Sequence, residues 1–445
     1  MRVIIVGAGE VGSHIAESLA DEHEVVVVDT DPEVVDDLTY SLDVLALQGD
    51  GASLETLDEA GIEEAEMLIA STDDDKTNIV TCGTAKTTGD VFTVARVRKT
   101  AFLDTWHYAE GAFGVDHMVG TNLLTAETIV RVVGLPAAIE VEPFVEGLVQ
   151  MAEFEIPEDS PVTAKTVAEA DQWEALTFAA LVRDGEVAIP RGDSAIEAGD
   201  KAVVIGTPES VQAFARSVAP KRTPGDAEEI VVVGGSDIGY QTARLLEERG
   251  LKPRLIEQDP DRARELAERL PDTVVMEHDA TDGEFLDGEH VDQADAVVAT
   301  LGSDEKNLLV SLLAKNLGAD RTVSIVENGA YTRLFEEVGI DVAINPREAT
   351  AEEIIRFTRE GRIEKLSLIE GRQAEVLEIQ VDEDSALTGR PIRESVADLP
   401  GEVVIGAISR NGELVVPRGD TVVEAGDHVV LFVGTEVLDD VVAAV

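Results

Sequence analysis

Gly7, Gly9 and Gly12 stand in the pattern Gly-x-Gly-x-x-Gly, directly after the apolar run Arg2-Val3-Ile4-Ile5-Val6. Asp29 closes the next apolar run, 22 residues after Gly7. That is the spacing of a dinucleotide-binding turn between a strand and a helix. Gly7 permits the tight turn, Gly9 lets the backbone approach a pyrophosphate, and Gly12 lets the helix pack close to the strand. Unpaired N–H groups at the helix start face the phosphates. An acid at position 29 accepts hydrogen bonds from ribose hydroxyls and repels a 2′-phosphate. NAD or an adenine nucleotide is therefore favoured over NADP.

Further candidates fall at the carboxyl ends of later strands, where such sheets bind ligands. Asp50, in Gln48-Gly49-Asp50-Gly51, suits the adenine side. Thr72 and Asp73 follow a fourth apolar run, and Arg96 lies near the end of a fifth. Arg96 reads either as a phosphate partner or as a surface salt-bridge arginine. Asp73-Asp74-Asp75 reads as the cap of a helix starting near Lys76 rather than as a metal site.

These residues need a scaffold. Strands are expected at Arg2–Val6, Glu24–Asp29, Val44–Gln48, Met67–Ser71 and Phe92–Val97, with helical patterns between them, the first from Ser13 to Leu19. Alternation of this kind gives a doubly wound parallel sheet, an α/β fold of Rossmann type. An amphipathic helix over 121–138 lies outside the sheet pattern. Residues 139–220, rich in short strand runs and Gly-Asp turns, read as a small mixed α+β domain.

The pattern then repeats. Val231-Val232-Val233-Gly234-Gly235-Ser236-Asp237-Ile238-Gly239 echoes the first turn 227 positions on. Asp279 matches Asp50, Asn307 matches Asn78, and Pro417-Arg418-Gly419-Asp420 matches Pro190-Arg191-Gly192-Asp193. The chain is thus a duplicated two-domain unit: a nucleotide-binding domain (1–120), crossover helix (121–138) and small domain (139–220), then a linker (221–228), and again 229–346, 347–362 and 363–445. The second copy is altered. Ser236 replaces the close-approach glycine, Glu257 replaces Asp29, and Ile325 and Glu327 stand at the positions of Arg96 and Arg98. The first site is expected to bind more tightly. The second is left to weak binding, a different nucleotide or a structural role.

Composition narrows the partners. The chain of 445 residues carries 90 acidic and 35 basic residues, a formal charge of −55. Such a surface repels phosphate backbones and anionic headgroups, so nucleic acid and direct membrane contact are excluded. Dense acid on a folded chain suits a salt-loving host. Hydrophobic residues make up 44%, enough for sizeable cores. No apolar run approaches a membrane span, and Met1 leads straight into a strand rather than a leader. A single cysteine, Cys82, forms no internal disulfide and reads as a buried filler. No catalytic constellation and no metal-spaced cluster is evident. His107 is the best acid–base candidate should the chain be an NAD-dependent oxidoreductase, but no substrate domain accompanies it.

The stretches "VIIVGAGEVGSHIAESLA", "VVVVDTDPE", "QGDGASLETLDEAGIEEAEMLIASTDDDKTNIVTC", "VARVR" and "EAGDKAVVIG" resemble RCK regulatory domains, the cytoplasmic nucleotide-sensing modules of potassium channels and transporters. Two fused units over the whole chain resemble the peripheral subunits of Trk-type potassium uptake. The resemblance implies a homo-oligomeric gating ring on the inner face of the cell membrane, docked to a TrkH-like integral-membrane subunit. It implies NAD(H), or ATP/ADP, in the clefts. By position, the first site would use Gly7, Ala8, Gly9, Glu10 and Val11 with Asp29, Thr72, Asp73 and Arg96. The second would use Gly234, Gly235, Ser236, Asp237 and Ile238 with Glu257. A regulator of some other transporter built on these domains is the alternative.

Overall fold

A computed structural model describes the chain except residues 21–22, 109–111, 136, 174, 220–228, 357–362 and 370–372. The expected linker at 221–228 and the last residues of the second crossover helix lie outside the described residues.

The first copy opens with β1 (Arg2–Val6), α1 (Glu10–Leu19), β2 (Glu24–Asp29), α2 (Pro32–Ser41), β3 (Leu45–Gln48), α3 (Leu54–Glu59), β4 (Met67–Ala70), α4 (Asp75–Ala85), β5 (Phe92–Val97), α5 (Thr100–Tyr108), β6 (His117–Gly120) and α6 (Thr121–Val133). The strands form one parallel sheet in the order β3-β2-β1-β4-β5-β6. Continuous β-branched runs suit strands buried on both faces. Val3 and Ile5 pack into one face, Ile4 and Val6 into the other. Two helix starts have a plain local cause. Asp31 caps α2 and Asp74 caps α4 through backbone N–H groups, and Pro32 stands inside the first turn of α2.

Two helix boundaries differ from expectation. α1 begins at Glu10, not Ser13, because Gly9 is already its extended N-cap and accepts the Ser13 N–H. α6 ends at Val133 instead of running to 138, because Gly134 and the coming Pro136 stop it.

The first small domain holds β7 (Ala138–Phe144), β8 (Val149–Glu155), α7 (Val167–Ala170), β9 (Leu176–Arg183), β10 (Glu186–Ala188), β11 (Lys201–Gly206) and α8 (Pro208–Val218). Its sheet is antiparallel, ordered β10-β9-β11-β8-β7.

The second copy repeats the plan: β12 (Ile230–Val233), α9 (Asp237–Glu248), β13 (Arg254–Glu257), α10 (Pro260–Arg269), β14 (Val274–Glu277), α11 (Gly283–Gly288), β15 (Ala296–Ala299), α12 (Asp304–Leu317), β16 (Thr322–Ile325), α13 (Thr332–Glu337), β17 (Val342–Ile344) and α14 (Pro346–Arg356). The strand order is again β14-β13-β12-β15-β16-β17. The second small domain has β18 (Ile363–Ile369), β19 (Ala374–Gln380), α15 (Ile392–Ser395), β20 (Val403–Arg410), β21 (Glu413–Val415), β22 (His428–Gly434) and α16 (Leu438–Ala444), in the order β18-β19-β22-β20-β21.

Like halves associate. One compact unit joins Met1–Val130 with Glu228–Thr358, and the other joins Arg131–Ala227 with Arg359–Val445. In the first unit, Ala351, Ile354 and Ile355 of α14 share a core with Val11 and Ile15 of α1. The crossover helix of the second copy therefore covers a face of the first sheet. In the other unit the two small sheets share a core of Phe144, Met151 and Ile205 with Val376, Val430 and Phe432. The repeated Glu-Ala-Gly-Asp motif has a structural task there. Asp200 and Asp427, each 1% exposed, take both forks of Arg183 (2.7 and 2.7 Å) and Arg410 (2.8 and 2.8 Å). Among the described residues no helix is long and apolar enough to cross a membrane.

Candidate functional site

The carboxyl ends of β1 to β5 converge on one cleft. Gly7, Gly9, Glu10, Val11, Asp29, Asp50, Thr72, Asp73 and Arg96 all line it. Ala8 and Gly12 act behind the surface. The Ala8 N–H donates to Asp29 Oδ2 at 2.6 Å, which ties the turn to the end of β2. A side chain at Gly12 would come within 1.8 Å of the Gly7 carbonyl oxygen, so only glycine lets α1 close on the turn. Gly7 has φ +95° and its Cβ position abuts Thr72. At Gly9, by contrast, a Cβ would point into open space. The backbone there is bare toward the cleft, which fits an approaching phosphate at the start of α1.

Asp29 is held in place before any ligand contact. Its Oδ1 accepts the Asp31 N–H at 2.9 Å while Oδ2 serves Ala8. Each carboxylate oxygen keeps a further lone pair for a ribose hydroxyl. Asp50 accepts the Ala52 N–H at 3.0 Å and faces the cleft from the end of β3. Thr72 is fixed by Asn78, which is fully buried. Asn78 Oδ1 accepts from Thr72 N (2.9 Å) and Oγ1 (2.6 Å), and its Nδ2 donates to the carbonyls of Thr72 (2.9 Å) and Arg96 (2.8 Å). One amide thus pins β4 to β5 beneath the cleft.

Arg96 is not a surface arginine. Its side chain is 4% exposed. The guanidinium donates to Thr121 Oγ1 (3.3 Å), the Ser71 carbonyl (3.4 Å) and Asp73 Oδ1 (3.5 Å). All three bonds are long, so a fork with five donors keeps capacity for an anion. Burial, and then the Arg98 guanidinium, pull Arg96 below its ordinary value; Asp73 opposes this and Arg347 adds to it. The acid run divides its work. Asp74 caps α4 through Thr77, and that bonding holds its carboxyl below the usual range. Asp75 accepts the N–H groups of Arg98 and Lys99 (2.9 and 3.0 Å), and Asp73 pairs with Arg96 and Arg98.

Sequence reasoning missed Arg347. It lines the first cleft from the start of α14, 251 residues along the chain from Arg96. A signal was present: an arginine in the first turn of a helix opposes the helix dipole and needs acidic neighbours. Thr77 and Ser71 also line the cleft. His107 lies exposed on α5, outside the cleft lining. Cys82 is fully buried, and burial pushes its thiol far above the ordinary range.

The second turn keeps the frame. Gly234 has φ +102°, and Glu257 Oε2 accepts the Gly235 N–H at 2.7 Å. Asn307 repeats the bracket on Leu301 (2.8 and 3.0 Å) and Ile325 (2.9 Å). Ser236 caps α9, its Oγ accepting the Gly239 N–H at 3.2 Å. Arg262 donates to the Gly235 carbonyl at 2.8 Å and lies 3.5 Å from Asp237. Ile238 is buried.

Comparison with known proteins agrees with this duplication. The TrkA-N domain family matches residues 3–120 and 230–346, and the TrkA-C domain family matches 151–219 and 376–444. The Trk system potassium uptake protein TrkA homolog 1 of Methanosarcina mazei is 37% identical over 440 residues, 97% of either chain. The Trk system potassium uptake protein TrkA of Halomonas elongata is 34% identical over 442 residues, 97% of this chain and 96% of that one. Among solved structures, the GsuK RCK domain covers all of this chain and 95% of its own, with TM-score 0.61 at 19% identity. The GsuK channel bound to NAD gives TM-score 0.62 at 19% identity over all of this chain and 78% of its own. These two share the fold.

Proposed function

The chain belongs to the TrkA family of potassium-uptake proteins, and from that premise we propose that its first cleft is the nucleotide sensor of a regulatory subunit that gates a membrane potassium transporter. The ligand is NAD(H) or an adenine nucleotide, bound through Gly7 to Val11, Asp29, Asp50, Thr72, Asp73 and Arg96. The partner is an integral-membrane potassium-translocating subunit of the TrkH type, and copies of the chain close a ring beneath it. The chain works on the inner face of the membrane through that partner.

One observation carries the reading: a nearly buried arginine with long, unsaturating bonds faces a bare glycine turn and a helix N-terminus. In a chain of net charge −55, Arg96 is one of two cations in a lining that also carries Glu10, Asp29, Asp50 and Asp73. Exposed charges are screened in strong salt, while a buried guanidinium is screened much less. The Arg96 guanidinium therefore keeps its pull on phosphate in a salty interior. A nucleotide gates only through differential affinity for two arrangements of the ring. The second cleft is read as the weaker or structural one.

The test is calorimetric titration of NADH, NAD and ATP into wild type, Arg96→Ala and Asp29→Ala at high salt. Loss of binding in either variant supports the first cleft as sensor, and potassium flux with the pore subunit follows. Binding unchanged in both variants overturns the assignment.

A further inference from the structure

The helix that follows the second nucleotide fold ends up in the first cleft. Arg347, in the first turn of α14, lines that cleft with Arg96 and Asp73. Its guanidinium pairs with Glu10, in the first turn of α1, and lies 3.5 Å from Glu327. Glu10 also accepts the Gly329 N–H at 3.1 Å. Glu10 thus sits where the turn offers its N–H groups, yet its bonds reach to the other copy. All of these residues belong to the same compact unit.

We propose that Arg347 is a phosphate-selecting residue of the first cleft, that Glu10 competes for it, and that a terminal phosphate takes it over. The favoured ligand is then a nucleoside di- or triphosphate rather than a dinucleotide. The inference rests on the nucleotide reading of this cleft and adds which phosphate chemistry it selects.

Four observations carry it. First, the cleft presents two guanidiniums on separate elements, Arg96 from β5 and Arg347 from α14. Each internal phosphate of a dinucleotide bears one charge and has two free oxygens. A terminal phosphate carries nearly two charges and three acceptor oxygens, and suits a second planar fork. Second, Arg347 keeps 30% of its side chain exposed, so it can turn to a ligand. Third, its field reaches Arg96, whose guanidinium it helps to pull down, so a multiply charged anion between the two relieves Arg96. Fourth, the feature is particular to this cleft. Strand register pairs Val94 with His117 and Val323 with Val342, which makes Asn122 the counterpart of Arg347 in the other crossover helix. Asn122 carries no charge.

The exchange has a consequence for regulation. When Arg347 turns from Glu10 to phosphate, the ion pair that joins α1 to α14 is given up. The ligand thereby acts on the joint between the two copies, and its affinity depends on how firmly that joint is made.

The test is a double-mutant cycle by calorimetry on the full chain with ATP, ADP and NAD as probes, in wild type, Glu10→Gln, Arg347→Gln and the double variant. Arg347→Gln should weaken ATP and ADP by about tenfold or more and NAD by less than about threefold. Glu10→Gln should tighten ATP by about threefold, and that gain should vanish when Arg347 is also Gln. Should Arg347→Gln fail to fold, Arg347→Lys keeps the charge without the fork and should lose part of the ATP preference. Equal losses for all three ligands, no loss, or a Glu10→Gln gain that persists without Arg347 would overturn the proposal. If Arg96→Ala abolishes ATP binding while Arg347→Gln changes nothing, the nucleotide reading stands and this proposal alone fails. If wild type binds none of the three, both fail.

Discussion

The two nucleotide folds share a frame and differ in what the frame presents. Both run six parallel strands in the same order, with a left-handed glycine at the first turn, φ +95° and +102°. In both, an acid from the second strand accepts a turn N–H, at 2.6 and 2.7 Å. In both, a fully buried asparagine brackets the fourth and fifth strands. The cleft surface diverges. Gly9, Thr72, Asp73 and Arg96 become Ser236, Leu301, Gly302 and Ile325. Bonds that hold the backbone are needed whether or not a ligand binds; on the proposed reading, Gly9 and Arg96 are needed for the ligand. The duplication separates these two classes of residue inside one molecule.

The largest effects should therefore be equal in the two copies. Asn78→Ala strips partners from the Thr72 N–H and the carbonyls of Thr72 and Arg96; Asn307→Ala does the same to Leu301 and Ile325. Leaving buried backbone groups unpaired should cost about 3 kcal/mol in each case. Chemical denaturation of the two variants would measure it. A cost confined to one copy would break the shared-frame argument. The next effect should be unequal. Arg96→Ile, which copies the second cleft into the first, should weaken ATP by about 30- to 100-fold while leaving the denaturation midpoint nearly unchanged. A smaller split comes from the acids. Asp29→Ala and Glu257→Ala should each cost about 1–2 kcal/mol of stability, because each frees a turn N–H. Only Asp29→Ala should also lower nucleotide affinity, by about tenfold in titration.

Much of this was legible in the sequence because it is local. The glycine spacing, the apolar strand runs and Asp29 are all fixed within one strand-turn-helix-strand segment, and the repeat exposed the duplication directly. What was hidden depends on packing. Arg96 reads equally as a surface or a cleft residue until β5 and β6 bury it beside Thr121. Arg347 belongs to one copy and lines the cleft of the other, and only the seating of Ile354 and Ile355 against α1 makes that so. The association of like halves is also invisible along the chain, because each half's apolar faces look the same whichever partner covers them. The end of α6 departs from its sequence pattern for a simpler reason: the apolar pattern continues through Gly134 toward Pro136, and the breakers outweigh it.

The smallest expected effect tests how many residues make a cleft. In an Arg96→Ile background, where the first cleft is silenced, Ile325→Arg returns one cation to the second. Ile325 is 1% exposed, and no acid stands where Asp73 holds Arg96, because Gly302 occupies that position. Leu301 replaces the threonine hydroxyl, Ser236 is committed to its cap, and Glu327 sets an acid where Arg98 stood. A buried arginine without an acid partner costs stability, and its fork has nothing to orient it. Ile325→Arg should therefore raise ATP affinity of the second cleft by less than about threefold in calorimetry. Recovery to the affinity of the first cleft would mean that one guanidinium makes the site, and that the other differences between the copies are incidental.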